Sequence, residues 1–99
     1  MKYEFLRPAE SEFEEAARYY NRRQRGLGNR FMKEIRKTIS RITESPEAWT
    51  PVSPKARRCL VDRFPYGIIY QIQDDRILIL AVMHLSRKPD YWKNRHWFS

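Results

Sequence analysis

Arg63-Phe64-Pro65-Tyr66-Gly67-Ile68-Ile69-Tyr70-Gln71-Ile72, then Asp74-Asp75-Arg76, then Ile77-Leu78-Ile79-Leu80-Ala81-Val82-Met83-His84 decides the fold. It reads as two apolar strands, 67–73 and 76–84, folded back on each other at Asp74-Asp75. The second is almost wholly apolar, which predicts a central strand covered on both faces. Pro65 cannot donate to a ladder, so Phe64-Pro65-Tyr66 is a bend, and a further strand at about 56–63 precedes it. Beyond His84 runs a cationic and aromatic tail in which Tyr91, Trp92, Trp97 and Phe98 interleave with Arg87, Lys88, Lys93 and Arg95.

Upstream, residues 46–54 carry Pro46, Pro51 and Pro54 with Trp49, and read as a loop. Before it, Leu27, Phe31, Ile35, Ile39 and Ile42 form the apolar stripe of a helix over roughly 28–44. Arg30, Lys33, Lys37 and Arg41 form a separate basic stripe, read here as a solvated face. Phe13, Ala16, Ala17 and Tyr20 recur at helical spacing in an earlier helix, which Pro8 can open from its first turn. Glutamates gather near the start of that helix and arginines near its end, each complementing the helix dipole by about a few tenths of a kcal/mol. Gly26 and Gly28 supply a short break, so the two helices form an antiparallel hairpin. Residues 2–6 alternate and read as a short strand. The order is β-α-α-β-β-β plus a short C-terminal helix or turn around 90–95, one α+β domain spanning 1–99. The helical hairpin packs on one face of a small antiparallel sheet and leaves the other face, or its rim, for function.

The chain has 20 Lys and Arg against 12 Asp and Glu, a net charge of +8. Five of the acids but only two of the bases fall in residues 1–15, so the remainder is more basic still, with 18 bases to 7 acids. Such a body attracts nucleic acid or acidic protein. Cys59 stands alone, which suits a reducing compartment and a packing role in a strand. No stretch approaches a membrane span and no secretory leader is visible, so a cytoplasmic protein is expected.

The residues exclude several chemistries. His84 and His96 are too few and too badly spaced for a metal site, Gly26-Leu27-Gly28 is a helix connection, and no His-Asp-Ser arrangement suggests itself. No cofactor or metal is expected. A metal-free ribonuclease stays open: His84 and Tyr91 could shuttle protons while Arg58, Arg63 and Arg87 hold the phosphate. Against it, His84 reads more readily as a simple strand-terminal residue beside surface arginines. The tail offers rings and guanidinium groups suited to protein pockets or bases. Trp92 reads either as such a contact or as a core plug.

Three segments carry a resemblance: Tyr20 to Phe31 in the hairpin, Arg63 to Tyr70 at the bend, and His84-Leu85-Ser86-Arg87-Lys88-Pro89-Asp90-Tyr91-Trp92. Together, in this order and length, the chain resembles a RelE/ParE superfamily toxin of bacterial type II toxin–antitoxin systems. The resemblance implies a toxin neutralised by a cognate antitoxin that wraps an extended, partly helical segment around it, and the excess positive charge suits an acidic one. It also implies one of two targets: messenger RNA in the ribosome, cut by RelE-like members, or DNA gyrase, poisoned by ParE-like members. Arg58 and Arg87 match basic positions of the nuclease branch, but Leu60 stands where a second lysine is often found and Gly67 where an arginine would be. Losing one charge donor costs several kcal/mol in a phosphoryl-transfer transition state. The Phe64-Pro65-Tyr66 bend and the ending with His84, Arg87 and Trp92 resemble the ParE-like branch instead, which is favoured, with no catalytic residue; Arg58, His84, Arg87 and Tyr91 are the alternative as a nuclease, and a toxin fold without toxicity is the second alternative. Under the favoured reading Arg63, Arg87, Lys88, Tyr91 and Trp92 meet the target, and Phe13, Tyr20, Phe31 and Ile35 meet the antitoxin.

Overall fold

The central strand expected from the apolar run is the axis of the molecule. In a computed structural model, which describes residues 1–95, the elements follow as β1 (Lys2–Phe5), α1 (Arg7–Arg23), α2 (Leu27–Glu44), β2 (Thr50–Pro51), β3 (Arg57–Leu60), β4 (Tyr66–Gln73) and β5 (Arg76–His84). The sheet order is β1-β5-β4-β3-β2. β5 lies between β1 and β4, and Ile77 through Met83 are all buried.

Three features differ from the sequence reading. β1 runs parallel to β5, with Lys2 opposite Arg76 and Phe5 opposite Ile79, so the sheet is mixed rather than wholly antiparallel. That pairing joins the two ends of the chain and has no turn motif to announce it. Thr50–Pro51, inside the expected loop, adds a two-residue edge strand against Arg57 and Arg58. Pro51 is tolerated there because an edge residue need not donate outward. The expected C-terminal helix is instead a run of turns, closed by Tyr91 N–H to Lys88 O, Lys93 N–H to Asp90 O and Arg95 N–H to Trp92 O. Trp97 and Phe98 of the tail lie outside the described residues.

The hairpin turns where Gly26 takes a left-handed φ of 84°. Two residues later, a Cβ on Gly28 would sit 2.1 Å from the Ala17 carbonyl oxygen, so only glycine lets α2 start this close to α1. The Asn21 side chain accepts the Gly28 N–H at 2.8 Å and satisfies one of the orphan donors of α2. Phe31 then becomes the hub beneath the hairpin, in ring contact with Phe13, Tyr20, Phe64 and Tyr66 at centroid distances of 6.3, 5.3, 5.2 and 4.9 Å. Ile35, Ile39 and Ile42 continue this layer against Ile68, Tyr70, Ile77, Ile79 and Val82. Cys59 belongs to the same layer, and burial pushes its thiol pKa up, as fits a packing residue.

The opposite face is not left bare. Leu6, Ile69, Leu78, Leu80, Ala81 and Met83 form a second buried cluster with Ala56 and Trp92. Trp92 is 3% exposed and its indole N–H donates to Pro89 O at 2.7 Å, so the ring is buried with its polar atom satisfied. Its assignment as a target contact is therefore withdrawn. Phe31 and Ile35 are 0% exposed and are likewise withdrawn as antitoxin contacts. Their apolar stripe is consumed by the sheet.

Candidate functional site

Three of the expected site residues, His84, Arg87 and Tyr91, gather where β5 outruns β1. The last bond on that edge is Leu6 N–H to Ile79 O at 2.9 Å. Just beyond it a bulge interrupts the β4–β5 register, with Ile69 opposite Ala81 but Tyr70 opposite Ile79. Leu80 and Ala81 then share a face, and the pleat resumes out of phase. On the side of β5 that β1 has left, the backbone of Leu80 and Val82 faces no strand among the described residues, and side chains complete it. Val82 N–H donates to Glu12 Oε1 at 3.0 Å, and Leu80 O accepts from Arg95 Nη1 at 2.9 Å.

Glu12 and Arg95 also pair with each other. Arg95 Nη1 reaches Glu12 Oε1 at 2.9 Å and Nη2 reaches Oε2 at 3.1 Å, a two-pronged ion pair. The Tyr91 hydroxyl donates to Glu12 Oε2 at 2.6 Å. The Tyr91 ring carries the Arg87 guanidinium at 3.9 Å and that of Arg95 at 4.9 Å. Burial, then the hydrogen bond and charge of Glu12, raise the Tyr91 pKa. For Arg95, burial opposes the charge but the Glu12 bonds outweigh it, and the pKa is raised. The Tyr91 proton is thus directed at Glu12.

A cleft of about 240 Å³ opens beside this cluster, lined by Glu12, Glu15, Tyr19, Tyr66, His84, Arg87 and Tyr91. His84 Nδ1 accepts the Ser86 N–H at 3.0 Å and lies 2.7 Å from Ser86 Oγ. Its ring meets Tyr66 edge-on at 5.1 Å. Burial, and next the neighbouring Tyr20, push the Tyr66 pKa up to about 12.

The sequence-predicted residues are divided by this geometry. His84, Arg87 and Tyr91 share the cleft. Arg58 does not: it pairs with Ile69, on the face away from the helices, whereas His84 pairs with Tyr66 on the helix side. The stem of Arg58 crosses Gly67, where a Cβ would lie 3.2 and 3.3 Å from its Cγ and Cδ, and its buried Nε has no hydrogen-bond partner among the described residues. An arginine therefore fills the space over position 67, but the histidine is on the other side of the sheet. Lys88 is exposed.

Arg63 belongs to a different place. It adopts a left-handed φ of 69°, unusual for a residue with a side chain, at the rim of a groove of about 570 Å³. Tyr20, Leu27, Phe64 and Pro65 give the groove an apolar part; Arg30, Lys33, Lys37 and Arg63 surround it. Glu34 is buried there and pairs with Lys37 at 3.6 Å. Much of the basic stripe read as solvated thus edges a concavity. Of the expected antitoxin contacts Tyr20 lines this groove, while Phe13 is half-buried between Phe5 and Phe31.

Sequence reasoning missed Glu12 and Arg95. Glu12 looks like any member of an acidic run, yet it lies three residues after Ala9 and four before Ala16, both buried. An acid on the apolar face of a helix was the available signal.

A family model for the ParE toxin of type II toxin–antitoxin system, parDE, matches residues 3–89. The fold is similar to a chain in a structure of the chromosomal ParDE toxin–antitoxin system from P. aeruginosa (TM-score 0.76, 13% identity, covering 87% of this chain and 97% of that one). It is also similar to the isolated E. coli RelE toxin (TM-score 0.65, 20% identity, covering 93% and 92%). No curated protein matches by sequence.

Proposed function

The chain belongs to the ParE toxin family of type II toxin–antitoxin systems, and from that premise we propose that it arrests growth by binding DNA gyrase, without catalysing a reaction of its own. The observation that carries this reading is the separation of Arg58 from His84 by the thickness of the sheet. Cleavage through an RNA 2′-hydroxyl needs phosphate-binding cations and proton-transfer groups around one reacting centre. Here one arginine lies on the far face and the tyrosine is held as a donor to Glu12. What the edge of β5 does offer is a fixed cation, Arg87, stacked on a ring and exposed. Arg87, Lys88 and Tyr91 form the target contact in this reading; it is a grip rather than a reaction centre.

The cognate antitoxin occupies the groove bordered by α2 and the Phe64-Pro65 bend. Four cations around apolar residues suit an acidic segment carrying apolar side chains, and the surrounding charge speeds its capture. Arg63 serves this groove rather than the target surface. No described helix is long and apolar enough to cross a membrane, and action on gyrase places the protein in the cytoplasm.

The test is supercoiling of relaxed plasmid by purified gyrase with ATP. Wild-type protein should block supercoiling or trap cleaved DNA. Arg87→Ala should weaken this by about tenfold or more, the loss expected for a contact worth ~1.4 kcal/mol, while antitoxin affinity stays nearly unchanged. Unaffected gyrase together with messenger cleavage on translating ribosomes would overturn the reading.

A further inference from the structure

Glu12 is placed in the first half of α1, where a glutamate ordinarily faces water. Instead its side chain is 16% exposed, and both oxygens are fully engaged. Oε1 receives Val82 N–H and Arg95 Nη1, and Oε2 receives the Tyr91 hydroxyl and Arg95 Nη2. These partners come from the open edge of β5 and from the turns that follow it. Charge-assisted bonds to a carboxylate are stronger and more directional than neutral ones. One carboxylate therefore fixes the position of a segment with little regular structure of its own.

The geometry points to Glu12 as a positioning residue for Arg87: Glu12 holds the Tyr91 hydroxyl, the ring is thereby set at the edge of the cleft, and the ring face orients the Arg87 guanidinium toward the target. This rests on the reading that Arg87 is the target contact. The links are 2.6 Å from Tyr91 to Glu12 and 3.9 Å from Arg87 to the ring centroid. An arginine that is already stacked loses less rotamer freedom on binding than one that samples solvent. Arg95, on the same ring at 4.9 Å, is neutralised by Glu12 and keeps the ring in place without competing for the target.

A Glu12 that only stabilised the fold would predict independent effects, so the test is a double-mutant cycle on gyrase inhibition. Glu12→Gln should lower inhibition by about tenfold, within the range that loss of preorganisation produces. Its loss and that of Arg87→Ala should overlap rather than multiply. Tyr91→Phe cuts the link to the ring while leaving the Glu12–Arg95 pair and the Val82 bond intact. It should reproduce the overlap even where Glu12→Gln folds poorly. The second readout is the Tyr91 titration followed by NMR. Glu12→Gln should bring it down toward the ordinary tyrosine range without reaching it, because burial remains; exposed Glu14→Gln should leave it in place. Losses that multiply, or a folded Tyr91→Phe protein with undiminished inhibition, overturn the proposal. If wild-type protein leaves gyrase untouched, the target reading fails by itself. The positioning claim is then decided by the titration and by the mobility of the Arg87 side chain, and it is lost if Glu12→Gln changes neither.

Discussion

The two faces of the sheet are closed in different ways. The face under α1 and α2 is sealed by continuous amphipathic helices, with Phe31 touching four other rings. The opposite face has no helix among the described residues. Its middle is covered by Trp92, delivered by a series of turns, and toward β3 it stays open: Leu60 is 50% exposed and Arg58 lies across Gly67. One face is secured by many local repeats of a pattern, the other by one indole and the Glu12 cluster that ties its segment down. The proposed target surface sits at the margin of the less redundant face, where changing one side chain can move a whole segment.

The largest expected effect compares the two plugs. Phe31→Ala removes the shared partner of four rings and should cost about 3–5 kcal/mol, the usual range for a fully buried aromatic. Trp92→Ala should cost about 3 kcal/mol, at the low end, because residues near it can collapse toward solvent. Denaturant titration measures both. Equal losses would mean that the turn segment is as integral as a helix; a loss below about 1 kcal/mol at Trp92 would mean that it closes nothing.

This contrast also explains what could be read beforehand. The stripe from Phe31 to Ile42 and the run from Ile77 to Met83 are periodic or continuous, so their burial follows from the sequence alone. The parallel pairing of β1 with β5 joins distant segments and leaves no local mark. For the same reason Glu12 and Arg95 escaped notice: each looks ordinary until the fold places them together. Tyr91 and Arg87 were legible as a cationic and aromatic pair. Their stacking was not, because it depends on turns whose geometry is fixed by Glu12. Trp92 was divided between contact and core until the fold buried it. At Phe31 and Ile35 the apolar stripe was read correctly, but its buried partner is the sheet, not an antitoxin.

Alkaline titration sharpens the comparison from the helix side. Tyr66 and Tyr70 both have pKa values pushed up to about 12, in each case chiefly by burial. Below about pH 10 they are protonated in both folded and unfolded chains and their stabilising contribution is fully present. As pH rises from there through 12, the unfolded chain loses these protons first and stability falls. Tyr70 is wholly buried and donates its hydroxyl hydrogen to Pro46 O, whereas Tyr66 is partly exposed and counts for less. The expected loss across the window is on the order of 1–2 kcal/mol, measured as a falling melting temperature. Tyr70→Phe should flatten the fall more than Tyr66→Phe does. The reverse order would place the tighter seal at the cleft end of the sheet.

Gly67→Ala addresses the open face and should have the smallest effect. The new Cβ would meet Arg58 Cγ and Cδ at 3.2 and 3.3 Å and Leu60 Cδ2 at 3.6 Å, all side-chain rather than backbone atoms. Stiffening the unfolded chain offsets the crowding, so stability should change by no more than about 1 kcal/mol in either direction. Arg58 should swing off the strand, and gyrase inhibition should be unchanged because the proposed contact is Arg87, at the other margin. Denaturant titration and the supercoiling assay, run on the same sample, separate the possibilities. A loss above about 2 kcal/mol would mean that the Arg58 stem is a packed part of the core. Lost inhibition with stability preserved would move the working surface from the edge of β5 to the face that Arg58 crosses.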